Sequence, residues 1–263
     1  MKGRREISAA ARGSDVGHPY SKVAPIFYER LNAEDRLFLK RHMEGRRFDE
    51  GIVLGVMTRC RWGYPQVILC CPLSGMCPFP TIFWLVCPYL VRACSALESA
   101  GGVGDLERKM GHDLSEWISY SNMCASLRLA IVSSSTRRFL RSRRRGIWHT
   151  LRRSGLGGIA VKDRVTLKCL HLQVASWLAL GEHPGAVWLE KAVGPRECEA
   201  PSYYRCSFGE VTDETSRRHR RRIELGPRPR GGIYRRALCI PCERSLDKPA
   251  GSRGWGRPIC HIG

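Results

Sequence analysis

Three short apolar runs, all within residues 51–86, constrain this chain more than any other feature. Gly51-Ile52-Val53-Leu54-Gly55-Val56-Met57 is β-branched and apolar, and Val67-Ile68-Leu69-Cys70-Cys71 repeats that character. Thr81-Ile82-Phe83-Trp84-Leu85-Val86 is apolar throughout. Runs of this length, rich in branched residues and bounded by Gly and Pro, read as strands. Arg61-Trp62-Gly63-Tyr64-Pro65 is turn chemistry, so the first two runs predict a hairpin. The third run shows no polar alternation, which predicts a central strand buried on both faces. Residues Pro72 to Pro80 read as a loop.

Helical spacing surrounds these strands. Asn32 is a good N-cap for a helix through Arg41 that Gly45 ends. Pro88 suits a first helical turn, Leu90, Val91, Cys94 and Leu97 follow at helical spacing, and Gly101-Gly102 stops the element. A long helical region is expected from Asp113 to Arg145, with Ser133-Ser134-Ser135 as an interruption. Leu167, Leu170, Val174 and Leu178 share one face of a helix ending at Gly181, and Pro184-Gly185 opens a last helix through Val193. The reading is α+β: a small, mostly antiparallel sheet of about three strands packed by several helices. Residues 1–30 form a loose leader, 31–209 a single domain, and 210–263 a basic tail expected to be disordered. With 43% hydrophobic residues, the chain has enough apolar material for a core.

Charge is segregated. Residues 137–168 carry 11 Lys/Arg against 1 acid, and residues 211–263 carry 13 against 5. Their nets of +10 and +8 account for +18 of the total +20. Such stretches attract nucleic acid or another polyanion. Arg137, Arg138, Arg141, Arg143, Arg144, Arg145, Arg152 and Arg153 are the candidate contacts, set against the plainer reading of a solvated helix face. The membrane candidate, Thr81 to Leu90, contains Pro88 and soon meets Arg92. It falls short of the about 20 apolar residues a spanning helix needs, so no transmembrane segment is expected. No secretory signal is recognised, so the expected compartment is the cytoplasm.

The 13 cysteines are then expected as reduced thiols. Cys87 lies between the third strand and the helix opening at Pro88, where the helix dipole favours thiolate and so metal binding or nucleophilicity. The alternative is a small buried apolar residue. Cys169 and His171 are natural partners. Two residues rotate about 200° on a helix, so the pair chelates only from an extended segment or a first turn. Cys60 completes the expected set of Cys60, Cys87, Cys169 and His171, which suits zinc or, less well, an iron–sulfur cluster. Cys94 and Cys124 fall on apolar helix faces and read as core, while Cys198 and Cys206 follow the last helix and can extend a metal site. Cys239-Ile240-Pro241-Cys242 with Cys260-His261 has the ligand types of a zinc knuckle without an apolar core to support it.

Walker loops, Gly-x-Ser-x-Gly elbows, His-Glu-x-x-His and dinucleotide fingerprints are absent from the sequence. Gly155-Leu156-Gly157-Gly158 reads as an interhelical loop. Three functions stay open: a Cys/His metal or redox-responsive domain, a nucleic-acid or ribosome-associated protein, and a thiol enzyme with Cys87 as nucleophile and His171 as base.

Several motifs occur together in order. Arg59-Cys60 precedes Gly63-Tyr64-Pro65-Gln66-Val67-Ile68, and Pro78-Phe79-Pro80-Thr81-Ile82-Phe83-Trp84-Leu85-Val86-Cys87-Pro88 follows. Ser95-Ala96-Leu97-Glu98, Gly101, Gly155-Leu156-Gly157-Gly158-Ile159, Val165 and Lys168-Cys169-Leu170-His171 come next. The combination resembles the bacterial domain of unknown function family 501 over residues 32–193. The resemblance implies a small bacterial cytosolic domain and carries no activity with it.

Overall fold

A computed structural model describes residues 26–44, 48–79, 81–160 and 162–207. Most of the expected leader and all of the expected basic tail, with Cys239, Cys242, Cys260 and His261, lie outside the described residues.

The first helix, α1 (Ala33–Met43), begins where the sequence places it. Asn32 Oδ1 accepts from the Asp35 amide at 2.7 Å, and Asp35 accepts from the Asn32 amide at 3.0 Å, a complete capping box. The strands are β1 (Val53–Arg59), β2 (Pro65–Cys70), β3 (Leu73–Ser74), β4 (Cys77–Pro78) and β5 (Phe83–Leu85). β1, β2 and β5 form an antiparallel sheet in that order, with Val56 opposite Ile68 and Ile68 opposite Trp84. The hairpin between β1 and β2 turns through Gly63 at φ 86°.

Two sequence expectations are corrected. The central strand is β2, buried at every position, while the third apolar run forms the sheet edge. β5 is apolar because a helix covers it and because Phe48 and Phe79 pack their rings on Trp84 at 5.2 and 5.4 Å. The expected loop from Pro72 to Pro80 contains a two-residue ribbon, β3 against β4.

At the outer edge of β1, Glu29 and Val56 exchange two backbone bonds of 2.8 Å. The approach requires Gly55, since a Cβ there would lie 2.2 Å from the Glu29 carbonyl oxygen. Glu29 is thus tied to the sheet.

The remaining helices are α2 (Pro88–Ser99), α3 (Gly102–Met110), α4 (Leu114–Ile131), α5 (Ser134–Arg143), α6 (Arg145–Arg153), α7 (Leu170–Leu180) and α8 (Ala186–Val193). The Gly101-Gly102 pair ends α2 as expected, yet Gly102 also opens α3, an element the sequence reading does not contain. The expected long helix is broken at Val132-Ser133, where Ser133 Oγ caps Thr136, and again at Arg144. Buried Arg128 of α4 donates to the carbonyls of Leu151, Ser154 and Gly155, satisfying the end of α6 and the loop beyond it. α7 lies over all three strands and also packs on α2, so the core sits between sheet and helices. Among the described residues no helix is long and apolar enough to cross a membrane.

Candidate metal centre

The last turns of α2 meet the first turn of α7. Ser95 and Glu98 are three residues apart on α2 and share a side of that helix. Glu98 Oε1 accepts from the Leu170 amide at 2.5 Å, the His171 amide at 3.3 Å and His171 Nδ1 at 2.9 Å. His171 Nε2 lies 3.2 Å from Ser95 Oγ. Glu98 thereby caps α7 from another helix, placing negative charge at the positive end of the dipole.

Cys169 is the N-cap residue of α7, extended at φ −167° and ψ 159°, with no cap bond from its side chain. The Cys-x-His pair therefore reaches one place in the way the sequence requires: thiol from an extended residue, imidazole from a first turn. One ligand atom each from Glu98, Cys169 and His171 lies within 4.8 Å of the other two, and all three residues are half-buried. Among the described residues no other trio of such groups is this close. Burial pushes the Cys169 thiol up, and the Glu98 charge adds to this, against the amides of Leu172 and His171 and the charge of Lys168.

Cys87 stands at the other end of α2 as its N-cap residue, 7% exposed. Its thiol is pushed up to about 11 by burial, which outweighs the amides of Leu90 and Tyr89. The thiolate expected from the helix dipole is thus opposed by desolvation. Eleven residues at 1.5 Å each separate Cys87 from Glu98 by about 16 Å along the helix axis. The expected ligand set divides accordingly. Cys169 and His171 gather at the C-terminal end of α2, while Cys60 follows the end of β1 near Cys87 and the N-terminal end. Cys87 and His171 do not form a nucleophile–base pair. Cys94, between the two ends, is fully buried and pushed up to about 12 by burial first. Cys124 is core, as expected.

The arginine cluster maps to α5 and α6 and the residue joining them. Arg138, Arg141, Arg143, Arg144, Arg145, Arg152 and Arg153 are exposed and Arg137 is half-buried. Among the described residues no carboxylate lies within 4.0 Å of any of the eight. Arg141 rests over the Trp148 ring at 5.8 Å. The glycine-rich loop follows α6 as a tight turn, with Gly157 at φ 68°.

Glu98 and Ser95 are the site residues that the ligand reading omits. Their i, i+3 spacing beside a helix end is the one sequence signal that marks them as a shared face. Comparison with curated proteins and with solved structures returns no match. The profile of the family described as "Protein of unknown function (DUF501)" matches residues 56–190, just over half of the chain and inclusive of Cys60, Cys87, Glu98, Cys169 and His171. The chain belongs to that family.

Proposed function

We propose that this domain binds zinc through Glu98, Cys169 and His171. The observation that carries the reading is the convergence of their ligand atoms within 4.8 Å where α2 meets α7. One thiolate, one imidazole and one carboxylate are zinc ligands, whereas a cluster of iron and sulfide asks for more thiolates. A thiolate beside the Glu98 carboxylate concentrates negative charge in a half-buried place, and a divalent cation offsets it. Nδ1 is the imidazole atom on the Glu98 side, so zinc would take the place of the proton it shares with Glu98, while Nε2 stays against Ser95 Oγ. Three protein ligands leave a fourth position for water or a small ligand.

Metal content of the purified full chain tests this. Cys169→Ser and His171→Ala should each lose one equivalent of zinc relative to the parent. Glu98→Gln keeps an oxygen to cap α7 but removes the charge, so it should weaken zinc binding while α7 stays folded. Parent-level zinc in both Cys169→Ser and His171→Ala overturns the reading.

A second reading is supported by a separate observation: the eight arginines of the α5–α6 region with no carboxylate partner among the described residues. They suit a polyanion such as nucleic acid, bound mainly through phosphates.

A further inference from the structure

We infer that Cys60, Cys87, Cys198 and Cys206 form a second, all-sulfur zinc site, at the end of α2 opposite to Glu98, Cys169 and His171. The inference does not depend on the first site, since the two share no residue.

Backbone docking brings the four together. Cys60 opens the turn between β1 and β2, its amide donating to the Tyr64 carbonyl at 3.0 Å. The segment after α8 is clamped onto that turn. The Cys198 carbonyl accepts from the Arg61 guanidinium at 3.0 Å and from the Trp62 indole at 2.9 Å. Glu197 accepts from the Arg61 amide at 2.8 Å. Gln66 joins the other two arms: its side-chain amide donates to the Arg196 carbonyl at 2.7 Å, and its own carbonyl accepts from the Cys87 amide at 3.3 Å. The turn at residues 201–206 returns the chain to the same place. The Cys206 amide donates to the Pro201 carbonyl at 3.1 Å, and the Tyr204 ring packs on Tyr89, two residues beyond Cys87, at 5.4 Å.

Burial and charge suit the assignment. Cys87, Cys198 and Cys206 are 7%, 8% and 4% exposed, and Cys60 is half-buried. All six pairs of these sulfurs are close enough for one thiolate to raise the pKa of the other. Backbone amides favour three of the thiolates: those of Trp62 and Tyr64 at Cys60, of Tyr89 and Leu90 at Cys87, and of Ala200 at Cys198. Amides aimed at metal-bound sulfur are the outer shell such centres use. Four thiolates in tetrahedral array select zinc or iron. No three of the four sulfurs lie within 4.8 Å of one another, so Zn–S bonds of about 2.3 Å require the thiols to rotate inward. Cys206 Sγ, 3.8 Å from the Tyr204 carbonyl, leaves that acceptor when it does so. Binding releases the four thiol protons as the S–Zn bonds form.

The test uses the full chain, purified anaerobically with reductant and analysed for metal by mass spectrometry. Cys198→Ser and Cys206→Ser should each lose one equivalent of zinc that Cys169→Ser and His171→Ala retain. Zinc loss confined to the Cys169 and His171 variants overturns this site and leaves the proposed function standing; the reverse pattern does the opposite. Parent-level zinc in both Cys198→Ser and Cys206→Ser, or iron in place of zinc, also overturns it. Should either variant fail to fold, the parent chain supplies the second readout. A chelator should open Cys60, Cys87, Cys198 and Cys206 together to alkylation mapped by peptide mass, and labelling of the four that ignores the chelator rejects the site.

Discussion

Arg59 ties three segments together with one guanidinium. It donates to both carboxylate oxygens of Asp35, at 2.7 and 2.8 Å, to Glu29 at 2.8 Å and to the Gly63 carbonyl at 3.0 Å. Asp35 is 3% exposed and also closes the capping box of α1. Arg59→Ala leaves that carboxylate buried without its partner, so it should cost about 3 kcal/mol in chemical denaturation; a loss below about 1 kcal/mol contradicts the account. His183 offers a pH readout. It is 4% exposed, its Nδ1 accepts from the Gly185 amide at 2.9 Å, and its Nε2 therefore donates to Gln173 Oε1 at 2.9 Å. The Tyr120 ring closes on it at 4.9 Å. Burial pushes its pKa down from 6.5 to about 3. Between those values the unfolded chain holds a proton the folded chain refuses, so stability is present above about pH 6.5 and is lost as pH falls towards 3. In urea unfolding, His183→Gln should show a flatter pH profile than the parent over this window; an unchanged slope rules out His183 as its source.

Among the elements, those with end signals were legible and those built by packing were not. Asn32, Pro88 and the glycines at 101 and 181 mark the ends of α1, α2 and α7, and the turn at Gly63 marks the hairpin. α3 was hidden because its first residue is a glycine that also reads as a stop. β3 and β4 are two residues each, too short for any period to register. β5 reads as central because a helix cover and the Phe48 and Phe79 rings on Trp84 leave the apolar pattern of a strand buried on both faces. The Cys-x-His geometry at the site could be argued from rotation per residue, but Glu98 meets His171 across 73 positions, through packing of α2 on α7. The loop before α7 is constrained by the same packing. Gly157 has φ 68°, and a Cβ there would come within 2.2 Å of Leu172 Cδ2. Gly157→Ala should destabilise the protein by about 2 kcal/mol or more, from left-handed strain and displacement of α7. Because α7 carries Cys169 and His171, the same variant should weaken zinc binding in a competition assay, whereas unaltered affinity means that the loop does not position the site.

At the scale of the whole molecule, charge and layering divide the labour. The arginines of α5 and α6 lie on helices that do not build the α2–α7 junction. Replacing Arg138, Arg141, Arg144 and Arg145 with Gln should therefore leave metal content unchanged. The same variant should lower affinity for duplex RNA and flatten its salt dependence, by a slope of about 0.7–0.9 for each phosphate that the variant ceases to neutralise. Titration of binding against salt checks this, and binding that is absent or independent of salt removes the polyanion reading. The layering has a consequence in time. The three strands end at Leu85, and the helix that covers them starts at Leu170. At 5–20 residues per second, a ribosome needs roughly 4–17 s to bridge that gap. Throughout that interval the nascent chain carries an apolar sheet whose lid has not been translated. The arrival of α7, rather than the pairing of the strands, sets the moment at which the newborn protein can close.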